Sequence, residues 1–213
     1  MKKKSFLLLL ILLVGGLTVS AQTEKGKWFV SGLNILSFQV GTSKYTDDYG
    51  SSKSNISQFC YGPSFLYGSM NFVNSPTINY GIINKLSAGI FLDINLYSDK
   101  GENDNSKSKT SVFAIGPSVR YYFMEEKKFL PFAEGKIGFG GTSDKYGSSD
   151  ASKSGLFLWY LGTGGTYFFK PKVGMDFTLG YGSLVVKDKG SNSNNFKSTI
   201  SIVNLGIGMI IGF

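Results

Sequence analysis

The last eleven residues alternate. On an extended strand Val203, Leu205, Ile207, Met209, Ile211 and Phe213 fall on one face, and Asn204, Gly206, Gly208, Ile210 and Gly212 on the other. One face is wholly apolar and the other mostly glycine. A soluble sheet buries its apolar face and turns a polar one to water. Here the second face is small instead, which suits the crowded interior of a small barrel whose apolar face meets lipid. The alternative is an aromatic β-core inside a soluble barrel.

The pattern recurs along the chain. Residues 59–67, 113–123 and 159–169 carry the same aromatic-rich motif, with Gly62, Gly116, Gly162 and Gly206 in register. Tyr67, Tyr121 and Tyr167 follow five residues later, with Ile211 in the last copy. A period of about 50 residues, two strands to a unit, predicts four hairpins. The fold class expected is all-β: an eight-stranded antiparallel transmembrane β-barrel in an up-and-down meander.

The alternation places strands at residues 28–40, 56–68, 86–97, 112–123, 130–140, 155–169, 173–186 and 203–213. In the first, Trp28, Val30, Leu36, Phe38 and Val40 share a face that Asn34 interrupts, while Leu33 and Ile35 fall in the opposite phase. Polar loops are expected at 42–55, 98–110, 142–154 and 187–197. Short turns are expected at 124–128 and 170–172, and a longer one at 73–84, where Pro76 and Gly81 stand. Outer-membrane barrels have long extracellular loops and short periplasmic turns, so the even strands run inward. Ten residue steps at ~3.3 Å and a ~40° tilt span about 25 Å, the height of an apolar band. Tyr67, Tyr121, Tyr167 and Phe213 then mark the periplasmic interface, and Phe113 and Trp159 the outer one.

The N-terminus gives the compartment. Lys2, Lys3 and Lys4 precede an apolar run at 6–14, and Val19-Ser20-Ala21 fits a small-residue cleavage site. Residues 1–21 read as a secretory signal peptide, too short for a spanning helix, with Gln22 first in the mature chain and 22–213 as the barrel domain. The expected localisation is the outer membrane. The chain is 42% hydrophobic and 15% aromatic with 28 glycines, as suits strands polar on one face. Its net charge of +8, part of it in the leader, is scattered without a basic stripe and gives no nucleic-acid partner. The single cysteine, Cys60, excludes an internal disulfide and is expected buried in a strand.

The chemistry is limited by what is missing. The chain has no histidine, which excludes Ser-His-Asp and Cys-His catalysis and histidine-based metal sites. Gly138 to Gly141 and Gly162 to Gly165 lack the following helix of a phosphate-binding loop. No enzyme activity, cofactor or metal is expected. One constellation remains: Asp93, Arg120, Glu134, Lys136 and Asp176 all fall on interior faces. Charges there must pair, with Arg120 as hub. They form either a structural plug or a gate whose ion pairs exchange. Residues 47–52 and 144–149 share Asp-x-Tyr-Gly-Ser-Ser, which reads as a repeated solvated turn or a ligand-binding element.

Taken together, the leader, the four hairpins, the Gly-Pro-Ser-x-x-Tyr of 62–67 and 116–121 and the terminal Phe213 resemble the small OmpA/OmpX-like outer-membrane β-barrel proteins. The Ala21-Gln22 junction and the Lys/Ser/Asn-rich loops look most like Bacteroidetes members, and the resemblance is to the barrel-only ones. It implies that Phe213 is a terminal signal read by the barrel-assembly machinery, and it implies no single activity. The function expected is a structural and surface-interaction role through four extracellular loops, above a lumen plugged by polar residues. Outer-membrane lipid is the constant partner, and an extracellular ligand or host surface is open through the loops. A narrow gated pore is the alternative.

Overall fold

The computed structural model describes residues 24–61, 75–99, 108–124, 128–146, 152–188 and 196–213. The expected signal peptide and its cleavage site lie outside the described residues, as do Tyr67 and the 62–67 motif. Nine strands follow in order: β1 (Trp28–Asp47), β2 (Gly50–Tyr61), β3 (Thr77–Ile83), β4 (Leu86–Asp99), β5 (Ser108–Tyr122), β6 (Phe129–Tyr146), β7 (Ser152–Lys170), β8 (Val173–Asp188) and β9 (Lys197–Gly212). All pairings are antiparallel: β1 pairs with both β2 and β3, β3 to β9 pair successively, and β1 pairs with β9 to close a ring.

Nine strands fill eight ring positions. One edge of β1 carries β9. The other carries β2 along Leu36 to Asp47 and β3 along Trp28 to Ser31. The segment expected as a long turn at 73–84 therefore holds a strand. Its Thr77, Asn79 and Gly81 point inward while Ile78, Tyr80 and Ile82 point outward. Pro76 stands just before the strand, where its missing N–H costs no ladder bond, and Gly81 lies inside it. The true turn is Asn84–Lys85, so the connections at this end are short throughout.

The first polar loop is likewise a strand pair. The β1–β2 register runs unbroken to Asp47 and Gly50. There the Asp47 carboxylate accepts from the backbone N–H of Tyr49 at 2.9 Å and of Gly50 at 3.0 Å. Ladder bonds are made by the backbone, so polar side chains on both faces do not end a strand once it leaves the apolar layer. The other strands also run two to six residues past their expected loop-side ends.

Two register shifts in β1, between Val30 and Leu33 and between Asn34 and Leu36, explain its mixed phase. Each bulge moves the facing by one residue. Ser31, Asn34 and Ser37 all point inward, and Trp28 and Phe38 both point outward. Gly32, at φ 72°, supplies the left-handed conformation that the first bulge requires.

Elsewhere the facing is regular and inverted relative to a soluble protein. On β5, Phe113, Ile115, Val119 and Tyr121 are exposed and Ala114, Ser118, Arg120 and Tyr122 are buried. Leu161 is 63% exposed and Phe139 61%, while Arg120 is 3% and Asp176 2%. The terminal strand faces as its alternation indicates, with Phe213 outward and Ile210 inward. Cys60 lies in β2, half-buried. Among the described residues no helix is long and apolar enough to cross a membrane.

Candidate functional site: the lumen charge cluster

Arg120 and Glu134 are register partners across the β5–β6 ladder. Their facing is set by plain alternation, so both side chains must enter the lumen. The Arg120 guanidinium donates through Nη2 and Nε to one Glu134 oxygen, at 2.8 and 3.2 Å. Its Nη1 reaches Asp176 on β8 at 2.8 Å. Nη1 also lies 3.4 Å from the Tyr122 hydroxyl, and the Phe132 ring sits 4.0 Å from the guanidinium carbon. Asp176 is held in turn by Thr166, its partner on β7, whose hydroxyl donates at 2.5 Å. One planar cation thus joins two carboxylates and stacks on a ring, a use of the arginine fork that lysine does not reproduce.

Lys136 is buried beside this group and lines a cavity of about 10 Å³ with Arg120, Glu134, Asp176 and Asn34. That volume is at the lower limit for one water molecule. Its ammonium lies 5.6 Å from the Tyr160 ring centre. Asp93 does not line this cavity; it accepts a 2.7 Å hydrogen bond from Asn95 on its own strand. All five charged residues are therefore inside the ring, and Arg120, Glu134 and Asp176 are joined directly.

The lumen is not filled by polar residues alone. Toward the turn end Phe29, Tyr122, Leu130, Phe132 and Ile210 form a buried cluster. Its rings cross the barrel: Phe29 on β1 meets Tyr122 on β5 at 6.4 Å, and Tyr122 meets Phe132 at 5.9 Å. Toward the loop end a second cluster includes Phe91, Leu156, Leu158, Tyr160 and Leu184. The charges sit between two apolar layers. None of these rings is among the inward residues expected from the sequence. The rings pack against glycines: Phe132 is the register partner of Gly164, and Phe91 lies where a side chain at Gly138 would be. The glycine-rich face is a bed for aromatic rings.

Among the described residues no group of histidine, cysteine, aspartate or glutamate could hold a metal ion. No known family model and no curated protein matches the chain. Solved structures match it at low identity. Neisserial surface protein A (NspA) has 17% identity and a TM-score of 0.44, over 87% of this chain and 97% of its own. Outer membrane protein AlkL, solved in lipid bilayers, has 13% identity and a TM-score of 0.45, over 93% and 95%. The outer membrane protease OmpT from Escherichia coli has 9% identity and a TM-score of 0.39, over 92% and 99%.

Proposed function

We propose that the chain is an integral outer-membrane β-barrel protein with a structural and surface-interaction role, presenting its loops on one side of a closed lumen. The observation that supports this reading is the inversion of sides. A continuous apolar exterior surrounds a lumen that holds two cations and three carboxylates. In water the exposed large side chains would form an apolar patch far beyond what a soluble monomer shows, whereas lipid is a solvent for them. The Phe29–Tyr122–Phe132 rings on one side of the charges and the Phe91–Leu158–Tyr160 layer on the other support a closed lumen. Refolding into lipid bilayers tests it: the folded chain should show heat-modifiable gel mobility and baseline conductance in a planar bilayer. Recovery as a soluble, lipid-independent monomer would refute it.

A narrow gated pore is the second reading. The observation that favours it is that Arg120 is shared between Glu134 and Asp176, so it can release one carboxylate while keeping the other. Discrete conductance steps from the wild-type chain would select this reading.

A further inference from the structure

Lysines face one another across three of the ladders at the loop end. Lys44 is the register partner of Lys53, Lys109 of Lys145, and Lys187 of Lys197. Partners in register share a face, and like charges directly opposed destabilise a sheet. The chain makes this arrangement three times, on β1–β2, β5–β6 and β8–β9. All six are exposed, and among the described residues none has a carboxylate within ion-pair distance.

The face is the outer one. Lys44 shares its phase with Phe38 and Val40, Lys109 with Phe113, and Lys197 with Val203 and Leu205, all outward and exposed. Lys153 on β7 shares its phase with Phe157 and adds a seventh. Asp144, next to Lys145, points to the opposite face. Lys109 and Lys153 each stand four residues beyond the last outward phenylalanine of their strand. Four residues along a tilted strand rise about 10 Å, from the apolar band into the headgroup layer.

We propose that this outward lysine girdle binds the phosphate groups of anionic lipids in the leaflet on the loop side, with the Lys44–Lys53 pair as its principal site. It rests on the membrane reading above. The wall is concave at that pair: a cavity of about 560 Å³ is lined by Lys44 and Lys53 with the hydroxyls of Thr42, Thr199 and Ser201. Two ammonium groups and hydroxyl donors around a concavity suit a phosphate ester. A second cavity of about 400 Å³ sets Lys153 and Ser143 beside Ile94, Leu96 and Phe113. In this second groove charge and apolar floor lie together and match a lipid, whose phosphate and acyl chain are joined. A soluble polyanion has no use for that floor. The opposed lysines then stop being a cost, because the phosphate between them neutralises both.

The test uses the folded chain in neutral-detergent micelles, titrated with phosphatidylglycerol or phosphatidylcholine and followed by native mass spectrometry. Wild-type protein should retain phosphatidylglycerol preferentially. At about five-fold per lysine near an anionic surface, Lys44→Gln/Lys53→Gln should weaken that retention about 30-fold. Lys44→Arg/Lys53→Arg should keep it, as should the turn-end control Lys170→Gln/Lys172→Gln. Heat-modifiable mobility of each sample shows separately whether the barrel is folded. A chain that does not fold in lipid or detergent overturns the membrane reading and this proposal with it. A folded chain that holds both lipids equally, or loses phosphatidylglycerol as much in the turn-end control, overturns this proposal alone. So does equal displacement of the lipid by a soluble sulfated oligosaccharide, which would make the girdle a polyanion site.

Discussion

Gly162 and Gly180 face each other across the β7–β8 ladder, and the Tyr160 ring lies over the space between them. A β-carbon at either glycine would meet the ring and its hydroxyl. The two glycines are therefore a side-chain-sized recess, and the tyrosine is what fills it. This is how an eight-position ring, too narrow for a large residue at every inward site, still admits aromatic rings to its lumen.

Gly180→Ala should accordingly destabilise the barrel by about 1–3 kcal/mol, because the added methyl overlaps the buried Tyr160 ring, which must shift to admit it. The urea midpoint in micelles measures this. Tyr160→Leu in the same chain should recover part of the loss, since the two changes touch one contact and cannot be additive. Additive losses would show that Tyr160 does not occupy the recess.

Phe213 closes the ring through its backbone, donating its N–H to the Trp28 carbonyl at 2.9 Å while its side chain stays outward. Deleting Phe213 removes one seam bond and the outward terminal aromatic together. Membrane levels of the folded form should fall several-fold. Phe213→Leu, which keeps the seam bond, should fall less if the bond matters and equally if the aromatic face is what assembly reads. Unchanged levels and unchanged heat-modifiable mobility for the deletion would refute both roles.

Most of the strand plan and the inward phase of Arg120, Glu134, Lys136 and Asp176 were legible because alternation with period two is a local property. The first strand resisted because two bulges reset its phase at Gly32 and near Asn34, and a bulge is specified by its partner strand as much as by its own residues. β3 was hidden because Pro76 and Gly81 are turn signals in isolation; only the neighbouring β1 and β4 ladders show them as a strand start and a close approach to Glu24. That Arg120 spans the lumen to Asp176 depends on ring closure, since β5 and β8 are far apart in sequence. The Lys44–Lys53 opposition was invisible while 42–55 read as a loop.

The ring floor makes a separate forecast. Phe29 touches Tyr122 across the lumen and is fully buried. Phe29→Ala should cost about 3–5 kcal/mol, as for other buried phenylalanines. It should raise conductance only if the charge layer above it is itself permeable. Phe29→Leu, with nearly the same volume, should restore most of the stability. Conductance in Phe29→Ala but not in wild type would place the constriction at the rings.

Arg120→Ala separates the two readings of the lumen. It would leave Glu134 and Asp176 buried with one partner removed from each, an uncompensated loss of about 3–5 kcal/mol. If the cluster is a structural plug, the urea midpoint drops and conductance stays at baseline, because the Phe29–Tyr122 contact across the lumen is made by the rings themselves. If the cluster is a gate, removing its shared cation also raises single-channel conductance. Arg120→Met with Asp176→Asn takes out one cation and one carboxylate at similar volume, leaves Glu134 beside the buried Lys136, and should recover part of the stability that Arg120→Ala loses. A single mutant as stable as wild type would mean that the carboxylates find another partner, with Lys136 nearest at hand. The matching experiment is then Lys136→Met in the Arg120→Ala background, which should unfold the barrel at the lowest urea of the series.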